Sequence, residues 1–388
     1  MKRIYLDYAA ATPVDKEVLK AMMPYFYDKF GNASSVHYFG QEAIAAIDTA
    51  REKIAKLLNC DFSEIIFTGS ATEANNLAIC GLIRANRGMH AHIISTAIEH
   101  ESVHEPAKEL QKSGHEVTYI KVNKSGFINI ADLEKNIKNN TILVSVIYAN
   151  NEIGTIQPIK EIGKLIEKIN VKRKTAGLGR IYFHTDAVQA LQFLECRPDW
   201  LKTDLMTFSG HKIYGPKGVG ALYIRKNTPF LPIISGGGQE FRLRSGTENV
   251  ANIVGLAKAI EFVFKGREMR FKKILNLRNQ LLDYIIKGNK GAKLNGSLVS
   301  RLPNNLNIRF PGVSNEALLV ALDLAGVAVS AGSACSARAT KASHVLIALE
   351  LTEKQAKASV RITLGKDTTE EEIKRAAGII KKAIDQLK

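Results

Sequence analysis

From Glu64 to Ile224 the chain alternates short apolar runs with longer stretches of helical periodicity, and this alternation restricts its fold more than any other feature. The runs of strand length are Glu64 to Thr68, His92 to Thr96, Val117 to Val122, Thr141 to Ala149, Ile181 to Thr185, Leu205 to Phe208 and Gly220 to Ile224. A chain that goes strand, helix, strand in this way builds a largely parallel sheet covered by helices on both faces. The predicted class is therefore α/β. Ligands of such a sheet bind outside the carboxyl ends of its strands.

The same reading extends to both ends of the chain. Near the start, Ile4 to Pro13 is a short apolar arm, Asp15 can cap a helix running towards Tyr27, and a helix is predicted from Gly40 to Leu58 with His37 fixing the loop before it. Beyond Ile224 a helical pattern runs from Val250 to about Lys287 with a break at Gly266. Strand candidates at Leu306 to Phe310, Val327 to Ser330 and Ser359 to Leu364 then alternate with helices at Asn315 to Leu324, near Ser343 to Leu349, and from Thr369 onward, where Thr369 and Glu372 have capping-box spacing. At 388 residues the chain is too long for one small core. It divides into a large domain, 14–260, and a smaller α+β domain built from 1–13 and 261–388.

Composition closes off other classes. Hydrophobic residues at 45% and charged residues at 24% exclude wholesale disorder. There is no apolar run of about 18 residues to span a bilayer, and the start lacks the apolar core of a signal peptide, so a cytoplasmic location and no membrane partner are expected. Cys60, Cys80, Cys196 and Cys335 show no Cys-x-x-Cys spacing, which argues for free thiols and against a metal site. The net charge of +16 would favour anionic partners, RNA included, yet it is spread along the chain with no nucleic-acid motif, so direct nucleic-acid binding stays open. The basic stretch Asn170 to Arg180 reads as a solvated loop.

The chemistry converges on Lys212. It lies in Ser209-Gly-His-Lys-Ile-Tyr-Gly-Pro-Lys-Gly218, a turn between two core strands, where partial burial favours a neutral, nucleophilic amine over a solubilising charge. Upstream, Tyr182-Phe-His-Thr-Asp-Ala-Val-Gln189 sets Asp186 at another strand end. A strand-end lysine and a strand-end aspartate are the pair that a pyridoxal 5'-phosphate enzyme requires, one to hold the cofactor aldehyde and one to keep its pyridine nitrogen protonated. Gly69-Ser-Ala-Thr-Glu-Ala-Asn75 follows a strand and opens a helix, so free N–H groups around Ala71 and Thr72 suit the phosphate. Cys335 sits in Ser330-Ala-Gly-Ser-Ala-Cys-Ser-Ala337, among side chains with almost no bulk, where a thiol can be delivered to a bound substrate.

These stretches, with Asp7-Tyr-Ala-Ala10, Phe30 to His37 and Gly236 to Asn249, closely resemble those of the cysteine desulfurases of the NifS/IscS type, within the class-V aminotransferase family. The likeness runs from Tyr5 to about Gly365. It implies the type I fold of the pyridoxal phosphate-dependent transferases, a homodimer, L-cysteine as substrate, and a persulfide on Cys335 handed to an iron-sulfur scaffold or a tRNA-thiolating enzyme. By the same resemblance His100 stacks on the cofactor and moves protons. Gln189 meets the phenolic oxygen, and Ser209, His211 and Thr72 meet the phosphate. Thr247 reaches the phosphate in the other subunit, and Asn151 and Arg361 hold the substrate carboxylate. After Cys335 the sequence lacks the leucine, glutamate and proline usual in the family's loop. A selenocysteine lyase or other class-V lyase or aminotransferase is the alternative within the family. A basic, non-catalytic sulfur-relay or RNA-associated protein is the alternative outside it.

Overall fold

The computed structural model describes residues 3–86, 90–332 and 342–388, and among these it contains twelve strands. They are β1 (Ile4–Tyr5), β2 (Ile65–Thr68), β3 (His92–Thr96), β4 (Glu116–Ile120), β5 (Thr141–Ser145), β6 (Tyr182–Asp186), β7 (Leu205–Ser209), β8 (Gly220–Ile224), β9 (Lys293–Leu294), β10 (Asn305–Arg309), β11 (Val327–Ala328) and β12 (Ser359–Thr363). Seven of them form the central sheet in the order β2-β8-β7-β6-β5-β3-β4. Pairing from β4 through β7 is parallel, and β8 runs antiparallel to both β7 and β2. The α/β class with a mostly parallel sheet is what the alternating pattern predicts, and β3, β5, β6 and β7 are buried almost end to end, as strands covered on both faces must be.

Two further sheets lie outside it. β12, β10 and β9 make an antiparallel sheet, and β1 pairs in parallel with β11. Isolated bridges between Asp7 and Thr363 and between Ser330 and Arg361 tie the N-terminal arm and the segment after β11 to β12. The helix Arg267–Gly288 packs on Glu370–Leu387, and Tyr38–Leu58 packs on Val250–Phe264.

Local signals set most of the helix ends. Asp15 accepts from Glu17 N and starts Lys16–Met22, which stops two residues before Pro24. Ser70 caps the helix beginning at Ala71, and Thr369 with Glu372 forms a capping box. Gly266, at φ +72°, separates Val250–Phe264 from Arg267–Gly288 where the sequence places the break. No helix among the described residues is long and apolar enough to cross a membrane.

Two regions differ from expectation. The strand predicted over Thr141 to Ala149 ends its regular pairing at Ser145. Val146 and Tyr148 still donate to the carbonyls of His184 and Asp186 in β6, so the chain runs on past the sheet and delivers Asn150 and Asn151 above its edge. The stretch 170–180 is largely solvated, as expected, but most of it is helix rather than loop. The helix Ile159–Thr175 continues through most of it, and Arg173 is buried, donating to the carbonyls of Gly179, Lys138, Asn139 and Thr141. A guanidinium with that many carbonyl acceptors is satisfied without water, which is why this one basic side chain folds inward while Lys172, Lys174 and Arg180 stay exposed.

The turn from Gly236 to Asn249 is pinned by a buried ion pair. Arg51 donates through both terminal nitrogens to Glu240, each at 2.8 Å, with its guanidinium also over the rings of Phe62, Phe67 and Phe241. Glu240 also accepts from Phe67 N in β2. Glu240, Phe241 and Arg242 all take positive φ, a backbone that these contacts hold in place.

Candidate active site

Every predicted site residue on the central sheet lies at or just after the carboxyl end of a strand, including β2, which pairs antiparallel with β8. Ala71 and Thr72 come after β2, His100 after β3, Asn151 after β5, Asp186 and Gln189 at and after β6, and Lys212 in the short turn after β7. Together with Arg361 from β12 they line one cavity of about 150 Å³. His211 lines it as well, while Ser209 lies behind it, almost fully buried, with its hydroxyl against His211 Nδ1 at 2.9 Å.

Lys212 is aimed by the N-terminal arm. Its Nζ donates to the backbone carbonyls of Ala9 and Ala10, each at 2.7 Å, and Gln189 Nε2 donates to the same Ala9 carbonyl at 3.0 Å. Gly220 allows the turn to close: a Cβ there would lie 2.7 Å from the Ser70 carbonyl carbon and 2.9 Å from Ala71 N, so β8 could not approach the start of the helix with any larger residue.

Asp186 and His100 belong to one buried polar chain. Asn75 Nδ2 donates to Asp186 Oδ2 and to Ser102 Oγ, both at 2.8 Å, and Ser102 Oγ lies 2.7 Å from His100 Nδ1. Ser102 N also donates to His100 Nδ1, at 3.1 Å, so Nδ1 is the accepting nitrogen and the proton of the neutral ring belongs on Nε2. Burial holds the imidazole below its usual range. Nearby Lys212 acts in the same sense, while Asp186 opposes both. His211 is pushed down to about 4, again by burial first and then by Lys212. Asp186 itself accepts a second bond, from Val188 N at 3.0 Å.

Arg361 is 1% exposed, so it is no surface decoration on β12. Its Nη2 pairs with Asp7 Oδ1 at 2.8 Å and its Nη1 donates to the Asn151 carbonyl at 3.1 Å, while Nε has no partner among the described residues. A buried guanidinium with an unused N–H is equipped to receive a carboxylate.

Several participants carry no motif of their own. Asn75 lies four residues after Ala71 on the same helical face and Ser102 two residues after His100; helical spacing was the available signal for the first. The carbonyls of Ala9 and Ala10 come from far away in the chain and leave no trace in the sequence around Lys212. Glu99, fully buried, accepts from Thr96 Oγ1 at 2.6 Å and from Ile147 N at 2.8 Å, and burial pushes its carboxyl up to about 8. Thr247 does not line this cavity. It lies on a separate one with Gly69, Gly218 and Arg244. Cys335 is outside the described residues.

The cavity suits pyridoxal phosphate on its own chemistry. It offers an amine from Lys212, a buried carboxylate from Asp186 available to a positive ring nitrogen, a flat imidazole from His100, and the opening of a helix at Ala71 and Thr72 for a phosphate.

The chain is similar to known proteins along nearly its whole length. A family model described as aminotransferase class-V matches residues 4–376. The cysteine desulfurase IscS of Dictyoglomus turgidum is 46% identical over 389 residues, covering 100% of this chain and 96% of that protein. A solved NifS-like protein superposes with a TM-score of 0.92 at 37% identity, over 99% of this chain and 100% of its own. SspA, solved in complex with cysteine, is 38% identical with a TM-score of 0.79, over 93% of this chain and 98% of its own.

Proposed function

The chain belongs to the class-V aminotransferase family and is a pyridoxal phosphate-dependent cysteine desulfurase, and from that premise we propose that the cavity around Lys212 is its active site, with Cys335 as the thiol that leaves carrying sulfur. The convergence of Lys212, Asp186, His100 and Arg361 on one cavity carries this reading. When bound, pyridoxal phosphate supplies an aldehyde that condenses with amines and a ring that draws electrons from the amino acid's Cα.

The protein's own groups do the rest. Ala9 and Ala10 hold the Lys212 amine beside the cavity, where it takes a proton at the Cα of L-cysteine and returns one to the product. Asp186 supplies the negative charge that keeps a pyridine nitrogen protonated, and Asn75 fixes its carboxylate. His100, neutral through burial and carrying its proton on Nε2, covers the ring face and passes protons at the substrate sulfur. Arg361, pre-oriented by Asp7 and the Asn151 carbonyl, takes the substrate carboxylate. The overall exchange balances without an added oxidant: L-cysteine and the Cys335 thiol give L-alanine and a Cys335 persulfide.

The remaining assignments belong to the same proposal. Residues 14–260 form the cofactor-binding domain, and 1–13 with 261–388 the smaller one, a division supported by the three separate sheets. The working unit is a homodimer. Exposed Phe26, Tyr27, Phe30, Tyr38 and Phe39 supply an apolar surface of the kind that subunits cover, and Thr247 is left off its own subunit's cavity to serve the partner's phosphate. The location is the cytoplasm, and the acceptor is an iron-sulfur scaffold or a tRNA-thiolating enzyme; labelled sulfur followed from Cys335 identifies which.

The test uses purified protein and L-cysteine. The wild type is expected to be yellow, to release alanine, and to carry a persulfide on Cys335 detectable by alkylation and mass spectrometry. Lys212→Ala should abolish alanine release, and Cys335→Ser should keep the colour while losing the persulfide. Turnover by Cys335→Ser at the wild-type rate would point instead to an aminotransferase or lyase that needs no thiol.

A further inference from the structure

Glu152 is 2% exposed and stands next to Asn151, yet no step above uses it. It is held firmly. Its N donates to Asn150 Oδ1 at 2.9 Å, and its carbonyl accepts from Asn305 Nδ2 and Asn307 Nδ2 in β10, each at 3.2 Å. Its carboxylate points at both flanks of the segment 333–341 that contains Cys335. On the far flank, Ser343 Oγ donates to Glu152 Oε2 at 2.6 Å while accepting from Leu346 N, so one hydroxyl caps the helix His344–Ala348 and binds the carboxylate. On the near flank is Gly332, at φ +144°, where a Cβ would lie 2.8 Å from the same Oε2.

The flanks have further ties to the site. Ser330 exchanges backbone hydrogen bonds with Arg361 in both directions. His344 Nε2 lies 2.9 Å from the carbonyl of Glu99, directly before His100, and its ring stacks on His104 with centroids 5.6 Å apart. The residues on either side of the cysteine segment are thus bound to the neighbours of Asn151 and His100 and to Arg361 itself.

We propose that Glu152 is a positioning residue for sulfur capture: its carboxylate holds Ser343 by a hydrogen bond and packs closely on Gly332, and by fixing these two flanks it governs how fast the Cys335 thiol takes sulfur from the substrate. This rests on the desulfurase reading and names a determinant of its second half-reaction. A buried carboxylate costs desolvation, and at this point the return is geometry, since reacting atoms misplaced by about 1 Å can lose two orders of magnitude in rate.

The experiment measures two quantities on full-length, cofactor-loaded enzyme: the L-cysteine concentration that half-saturates the cofactor's absorption change, and the single-turnover rate of persulfide formation on Cys335. Ser343→Ala, Gly332→Ala and Glu152→Ala are expected to leave half-saturation within about 2-fold of wild type and to slow persulfide formation roughly 10- to 100-fold. Glu152→Gln, which keeps an oxygen for Ser343, should recover most of that rate. Adding Ser343→Ala to Glu152→Ala should cost far less than the product of the two single effects, because they share one contact and only the cap on Leu346 N is lost anew. Should Glu152→Ala fail to fold, the Ser343 and Gly332 variants carry the test alone. Loss of substrate affinity and persulfide rate by the same factor overturns the inference, and so do normal rates in Ser343→Ala and Gly332→Ala. A wild type that forms no persulfide overturns the desulfurase reading itself.

Discussion

Glu99 is a fully buried carboxyl directly before His100, and its surroundings provide bonds to one oxygen only. Thr96 and Ile147 donate to Oε1, while Oε2 has no partner among the described residues. Burial, opposed by those two bonds and reinforced by the charge of Asp186, moves the group from its ordinary 4.5 to about 8. In the folded chain Glu99 therefore keeps its proton at pH values where an unfolded glutamate has lost it. Between those two values the native state binds more protons than the unfolded one, so this residue's contribution makes stability fall as pH rises. Glu99→Gln, neutral at every pH, should remove that slope. Even one pH unit of the shift is worth about 1.4 kcal/mol, enough to move the unfolding midpoint by about 2 °C. Thermal melts from pH 4 to pH 8 should show the variant level with wild type at the acid end and more stable at the alkaline end; parallel curves would show that the carboxyl ionises normally.

At the scale of elements, features decided within a few residues are legible in the sequence, and features that depend on distant partners are not. The caps at Asp15, Ser70 and Thr369 and the break at Gly266 are each decided within a few residues, so the sequence locates them closely. The burial of Arg173 is not legible in its own stretch because its acceptors are carbonyls at 138, 139 and 141 on another segment and at 179 across a turn. Arg51 has the same character, with its carboxylate 189 positions away in Glu240. Strand ends carrying Asp186, His100 and Lys212 were legible because their motifs are contiguous, whereas Asn75, Ser102 and the Ala9 and Ala10 carbonyls join the site only through the fold. The helix Ile159–Thr175 therefore invites a direct test. Arg173→Ala strips four carbonyls of their donor inside the protein and should destabilise it by about 2–4 kcal/mol. A urea titration would register this as a lower midpoint at unchanged slope. Arg173→Lys should recover only part of the loss, since one ammonium cannot spread its donors as a planar guanidinium does.

At the scale of the whole molecule, the arrangement of Thr247 relative to the cavity decides whether one chain is a complete enzyme. The turn that carries it is fixed to its own subunit by the Arg51–Glu240 pair and by Arg244 on Glu73, so Thr247 cannot swing freely towards Lys212. It lines a different cavity, one that includes Gly69, directly before the helix that would receive the phosphate. If each cofactor phosphate takes its Thr247 from the other subunit, the site is shared across the dimer, and two damaged chains can repair each other. Thr247→Ala and Lys212→Ala homodimers should both be far less active than wild type. In a mixed dimer, the site containing the intact Lys212 receives the intact Thr247 from its partner, and the other site lacks both. Random exchange of equal amounts makes half the dimers mixed, each with one sound site, so about a quarter of wild-type activity should return. The mixture is made by denaturing and refolding the two variants together or by co-expression with different tags, and alanine release is measured on the doubly tagged fraction. Activity no higher than the two parents would mean that Thr247 serves its own subunit or none, whereas recovery near one half in the doubly tagged fraction, or one quarter in the unfractionated mixture, requires a site assembled from two chains.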